Sequence, residues 1–169
     1  SIYNFLLYIQ SLKAENERRP FEVIEKLRSI LANSHNEVDK DLIRIIKNNI
    51  VFFLIEHNLT AEAEPELEDL KHQIRNHDFL SATYGLKEIK NGNIKTGIWY
   101  YNNAIRISKN EKIKQIAKQK VNYEMANYYY SRNDKKKAID YIKAASKVKE
   151  GLREYQEKIN NMKKIIQEM

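Results

Sequence analysis

Catalysis needs particular side chains brought to one point, and this chain is short of them. It has no cysteine, so it offers no thiolate nucleophile, no thiolate metal ligand and no disulfide. Its four histidines are His35, His57, His72 and His77. The nearest two are five residues apart, which is not one helical face, and no zinc spacing appears. Glu62, Glu64, Glu66 and Glu68 alternate by two, so a helix fans them apart. They read as a solvated face with favourable negative charge near a helix start. There is no phosphate loop, nucleophile elbow or paired catalytic constellation. The chain does not read as an enzyme, and no catalytic residue, metal or cofactor is expected. What remains are side chains suited to gripping another chain. An asparagine amide both donates and accepts, as a peptide unit does. A tyrosine adds apolar area with a polar tip. Which of them face the same way depends on the elements that carry them.

Those elements read as helices. Four glycines and two prolines in 169 residues suit long helices and argue against a β-rich fold, while 42% apolar content is enough for a core. Apolar spacing predicts helices over 2–15, 20–33, 37–57, 60–76, 78–90, 94–108, 110–131, 134–148 and 152–168. Pro20 suits a first turn, and Thr60, Asp78, Asn93 and Asp134 are expected N-caps. Pro65 predicts a late start or a bend, Asn91–Gly92–Asn93 a helix stop, and Gly151 a break. The longest apolar run, Ile50 to Ile55, is far shorter than the roughly 20 residues a membrane helix needs. The segment Ile2–Ile9 lacks a basic lead and a cleavage site, so it does not read as a signal peptide. A cytoplasmic protein is expected, with no membrane partner. The chain starts at Ser1, which suggests a piece of a longer protein.

Three stretches repeat one spacing. Ala63, Leu67 and Leu70 lie four and three apart, and so do Gly97, Tyr101 and Ala104, and Ala138, Ile142 and Ala145. Ala63 and Gly97 are 34 residues apart, and Gly97 and Ala138 are 41 apart. Tetratricopeptide repeats have a period of about 34 residues and place small and bulky residues this way on their second helix. The stretch from Val121 to Ala145 resembles such a repeat, with Ala126 and Tyr129 at matching first-helix positions. Met125 and Asn122 replace the usual leucine and tryptophan, and the closing proline is absent. The copy at 78–104 keeps Gly85, Gly97, Tyr101 and Ala104, and the copy at 44–70 is fainter. The resemblance implies an all-α, right-handed superhelical stack of tetratricopeptide-like helix pairs. The pairs would be 2–33, 37–76, 78–108 and 110–148, in one domain over 1–169, with a C-terminal capping helix at 152–168. That last helix carries Leu152, Tyr155, Ile159, Met162 and Ile166 on one face, which could alternatively meet a second subunit in a homodimer.

A narrower resemblance is to the C-terminal part of the peptide-sensing regulators of Gram-positive bacteria, the Rap, NprR, PlcR, PrgX and Rgg-like proteins. It rests on the run of helix pairs ending in an amphipathic helix. It also rests on the phrases Asn49–Ile50–Val51–Phe52–Phe53, Glu88–Ile89–Lys90–Asn91–Gly92–Asn93 and Ala138–Ile139–Asp140–Tyr141. It implies a sensor of peptides in a transcriptional, quorum-sensing regulator. Any nucleic-acid binding of that kind would belong to a domain outside this sequence.

First helices of tetratricopeptide repeats line a concave groove. Projecting the register puts Asn48, Asn49, Phe52 and Glu56 there from the second pair, and Thr83, Leu86 and Lys90 from the third. Lys120, Tyr123, Glu124, Asn127 and Tyr130 come from the fourth. The alternative for the asparagines is bonding to neighbouring turns, and for Phe52 and Tyr123 helix packing. A carboxylate-gripping clamp of the chaperone type does not fit. Glu124 stands where arginine is needed, and Tyr8 and Leu12 where lysine and asparagine are. The expected partner is thus a peptide or protein segment, with a scaffold for a folded protein as the rival. At least one member of each aromatic run, Trp99–Tyr100–Tyr101 and Tyr128–Tyr129–Tyr130, is expected to pack between helices, with the others free to be exposed; the alternative for aromatics beside lysines is stacking on single-stranded nucleic acid. Charge adds one further class. Residues 1–108 hold 14 Lys+Arg against 15 Asp+Glu, while residues 109–169 hold 16 against 8. A basic last third can meet nucleic acid, but lysine-rich helical surfaces are commonly just solvated.

Overall fold

Among the described residues, three in the left-handed backbone region punctuate the chain: Asn58, Gly92 and Asn133, with φ of 58°, 85° and 59°. They occur in a computed structural model that describes residues 20–33 and 40–169. The helix expected over 2–15, with Tyr8 and Leu12, and the loop at 34–36 lie outside the described residues. Those described form eight α-helices, one 3₁₀ turn and no strand. The chain divides after Lys71 into two compact units.

In the first unit, helix α1 (Pro20–Asn33) packs against α2 (Lys40–Glu56). Ile24 and Leu27 of α1 are buried, as are Leu42, Ile46, Ile50, Val51, Leu54 and Ile55 of α2. A 3₁₀ turn (Thr60–Ala63) leads into the short α3 (Glu64–Leu70), and both lie against α2. Pro65 sits in the first turn of α3, where its missing N–H costs nothing, so the late start expected from Pro65 is present. The helix expected to run to 76 instead ends at Leu70, and Thr60 provides no side-chain cap. Arg28 ties α1 to α3. Its Nε and Nη2 donate to the two carboxylate oxygens of Glu66 at 2.6 and 2.8 Å, and Nη2 also donates to the Glu62 carbonyl at 2.7 Å. The hydrogen bond to Glu66 raises the Arg28 pKa further, against the opposing cost of burial.

The second unit holds α4 (Asp78–Lys90), α5 (Ile94–Ile107), α6 (Glu111–Ser131), α7 (Lys135–Ser146) and α8 (Arg153–Gln167). α4 packs on α5, and α6 on α7. α6 also contacts both α4 and α5, and α8 contacts both α7 and α6. Each helix that follows a pair therefore rests on both members of that pair. Asn110 caps α6 by accepting from the N–H groups of Lys112 and Ile113, and Asp134 caps α7 by accepting from Lys137. Asn93 does not cap α5. Its side-chain amide donates to Glu88 instead, at 2.7 Å. Asp78 stands one residue inside α4, its Oδ1 accepting from the Phe79 N–H.

The three left-handed residues end α2, α4 and α6 in one way. The N–H after each reaches back to the carbonyl five residues earlier: Leu59 to Leu54, Asn93 to Glu88 and Asp134 to Tyr129, at 2.8, 2.8 and 2.9 Å. This closure satisfies carbonyls that a helix end leaves orphaned. Each stop lies five residues before a small residue of the next element, Ala63, Gly97 or Ala138. The 34- and 41-residue spacings of the small residues therefore recur in the turn geometry.

Those small residues sit at helix crossings. Ala63, Ala126, Ala138 and Ala145 are fully buried. At the α4–α5 crossing two glycines meet. A Cβ on Gly97 would stand 2.9 Å from the Gly85 carbonyl oxygen and 3.0 Å from the Ile89 nitrogen. A Cβ on Gly85 would stand 2.9 Å from the Gly97 oxygen. The apolar face of α8 is likewise committed. Tyr155, Ile159, Met162 and Ile166 are buried, the last three in one core with Ala126, Ala138, Ile142 and Ala145. Each such side chain contributes roughly 1.5–3 kcal/mol on burial, which holds an otherwise polar helix in place.

Candidate functional site

The residues assigned to a groove divide between the two units, and the structure treats them unequally. In the first unit they lie on α2. Asn49, Phe52 and Glu56 are half-buried there. Asn48 is only 9% exposed, and its Oδ1 has no hydrogen-bond partner. A buried amide oxygen without a partner costs stability.

In the second unit Leu86 is 0% exposed and Thr83 is buried, while Lys90 is exposed at the end of α4. Leu86 is a core residue and has no surface to offer a ligand, so its assignment to a groove is corrected. Glu124 of α6 is also buried. Lys120, Tyr123, Asn127 and Tyr130 share one face of α6, but α8 uses most of it. The Tyr123 ring stands edge-on to Tyr155 at 5.6 Å, and the Lys120 ammonium lies 5.2 Å over the same ring. Tyr123 and Tyr130 both pack against the core that α8 completes. The face projected into a groove is thus largely an intramolecular contact, and packing explains Tyr123, as its alternative had it. Asn127 is the polar residue there that remains half-exposed without a described bond.

Sequence reasoning missed what locks α8 in place. Gln119 is 1% exposed, and its amide pairs with the backbone of Leu152 as a peptide would. Its Oε1 accepts from the Leu152 N–H at 2.8 Å, and its Nε2 donates to the Leu152 carbonyl at 3.2 Å. A Cβ on Gly151 would overlap the Gln119 amide. Gly151, foreseen as a break, is also the gap that lets this side chain reach the backbone. The signal was present in the glycine, but its partner lies 32 residues away.

The aromatic runs separate into packed and exposed members. Tyr129 stacks on Tyr141 at 5.6 Å, with Tyr128 edge-on to Tyr129 at 5.2 Å. Tyr101 is buried beside Gly85. Trp99 is the open member of its run, being 48% exposed. Tyr100 stands edge-on to it at 4.9 Å and to Tyr84 at 4.8 Å, and the Arg75 guanidinium lies 5.4 Å over the indole. An open tryptophan held by an arginine and a tyrosine has the composition of a binding hot spot. Such a surface can grip a chain, since aromatic contacts lose little side-chain entropy.

No model of a known protein family, no curated protein and no solved structure matches this chain. Among the described residues no helix is long and apolar enough to cross a membrane. No group of three or more His, Asp or Glu among them could hold a metal ion.

Proposed function

We propose that this chain is a binding module built from tetratricopeptide-like helix pairs, which captures a peptide or protein segment as the sensing part of a bacterial regulator. The observation that carries the repeat reading is the recurrence of one left-handed stop, at Asn58, Gly92 and Asn133, five residues before each small crossing residue. Helices that rest on both members of the preceding pair support it in the second unit. Arrays of such pairs act by binding other chains. The exposed Trp99, held by Arg75 and Tyr100, supports the binding reading, because tryptophan, tyrosine and arginine are the residues enriched at binding hot spots. A sensor further requires that the captured segment favour one of two states of the module.

The test is selection of binders from a library of short random peptides with the chain as bait, then calorimetry with each synthetic peptide. At the groove positions still open, Asn49→Ala and Asn127→Ala should each weaken a confirmed peptide. Unchanged affinity in both variants removes the groove from the proposal. A stable complex with a folded protein that no peptide displaces would favour the scaffold reading.

A further inference from the structure

Helix α5 carries no acidic residue, and none occurs between Glu88 and Glu111. Its outward stripe is Lys95, Trp99, Asn102 and Arg106, spaced four, three and four apart, and all four are exposed. Arg75 joins them from the turn before α4, stacked on the indole. Arg75, Lys95 and Arg106 form no ion pair with a described residue. By contrast Lys114, Lys137 and Arg153 each have a carboxylate within 4 Å on their own helix or its cap.

The stripe is also held in shape from beneath. Asn103 is buried at 5% exposure. Its Nδ2 donates to the Arg75 carbonyl and to Ser81 Oγ, both at 3.0 Å, and its Oδ1 accepts from Arg106 Nη2 at 2.8 Å. Ser81 Oγ in turn donates to the Tyr100 carbonyl at 2.9 Å. One satisfied buried amide therefore fixes the backbone that bears Arg75 and the guanidinium of Arg106. The first lies on the Trp99 ring, and the second two turns along the same face. Side chains ordered before binding lose less freedom on binding.

We propose that this stripe docks an acidic peptide segment, with an apolar or aromatic side chain of the segment resting on Trp99 and its carboxylates meeting Arg75, Lys95 and Arg106. Charge complementarity selects the occupant: three cations with no carboxylate partner among the described residues share one face with an open indole. The inference rests on the segment-binding reading and names the chemistry of the segment.

Trp99 is the only tryptophan, so its emission reports on this surface alone. The intact chain is titrated with a short peptide of alternating glutamate and leucine. The same peptide with lysine for glutamate, the same with serine, and oligo(dT) are titrated in parallel. The glutamate peptide should shift Trp99 emission to the blue, and the affinity should fall as salt rises. Arg75→Gln and Arg106→Gln should each weaken it about threefold at low salt, and Lys95→Gln, which lies outside the buried network, by a similar factor. Lys163→Gln on α8 should change nothing. A blue shift with oligo(dT) in place of the acidic peptide would make the stripe a nucleic-acid surface and overturn the proposal. Silence of Trp99 toward all four probes also overturns it. The segment-binding reading fails separately, when library selection yields no peptide that binds the chain anywhere.

Discussion

Gly97→Ala should destabilise the protein, although alanine is the better helix former. The change adds one methyl at the α4–α5 crossing. That carbon would lie 2.5 Å from Ile89 Cγ1, 2.9 Å from the Gly85 oxygen and 3.0 Å from the Ile89 nitrogen. The isoleucine can rotate, but the two backbone atoms belong to a neighbouring helix and cannot. The helices must part by several tenths of an ångström, which loosens Tyr101 against Gly85. Overpacking costs about 1–3 kcal/mol, and rigid backbone contacts argue for the upper end. Helix propensity returns up to about 1 kcal/mol. The net loss is about 2 kcal/mol, or roughly 4–8 °C in Tm for a chain of this size. Thermal and urea unfolding followed by circular dichroism measure it. Gly92 supplies the contrast, because a Cβ there meets nothing within 4 Å while φ is 85°. Gly92→Ala should lose about 1 kcal/mol through backbone strain alone, and Gly92→Asn much less. A Gly97→Ala protein as stable as the parent would refute the close crossing, and with it the reading of the small-residue repeat as helix contact.

Gln119→Ala should cost about 1–2 kcal/mol by stranding the Leu152 N–H, while the Leu152 carbonyl keeps its bond from the Gln156 N–H, and hydrogen exchange should show α8 losing protection before α4 does. Arg28→Gln leaves the buried Glu66 carboxylate without its bidentate partner. Because Arg28 itself is partly open to solvent, a loss of about 1–2 kcal/mol is expected in urea unfolding, and an unchanged midpoint would contradict the pairing. Asn48→Leu should stabilise the chain by about 1 kcal/mol, since it removes a buried acceptor without a partner. If the same variant also loses affinity for a selected peptide, Asn48 is held at a cost to stability for the sake of binding.

Helix existence was legible in the sequence because apolar spacing and sparse glycine leave few alternatives. Ends were legible where a cap or stop is local, as at Asn91–Gly92–Asn93 and Asp134. The stop at Asn58 was missed because a lone asparagine after a histidine carries no glycine signal, yet asparagine tolerates the left-handed conformation better than most residues do. The early end of α3 at Leu70 also escaped, since the apolar spacing from Leu67 through Leu70 to Ile74 continues a helical pattern. The candidate site was less legible. Register projected Leu86, Lys120 and Tyr123 into an open groove, whereas Leu86 is buried and Tyr155 lies against Lys120 and Tyr123. Whether a face is open depends on which later helix covers it, and α8 covers α6 through Tyr155, 32 residues beyond Tyr123. That Trp99 is the exposed member of its run was not legible from the run alone. Its exposure follows from the small residues at the crossing, which turn Gly97, Tyr101 and Ala104 inward and leave Lys95, Trp99 and Asn102 on the opposite side.

Capture of a peptide or protein segment is the function proposed for this chain. Calorimetry of the intact chain with a library-selected peptide, repeated across temperature, tests this most directly. The prediction is saturable binding at one peptide per chain, with a negative heat-capacity change from burial of apolar surface. Absence of saturable heat from every selected peptide would contradict it.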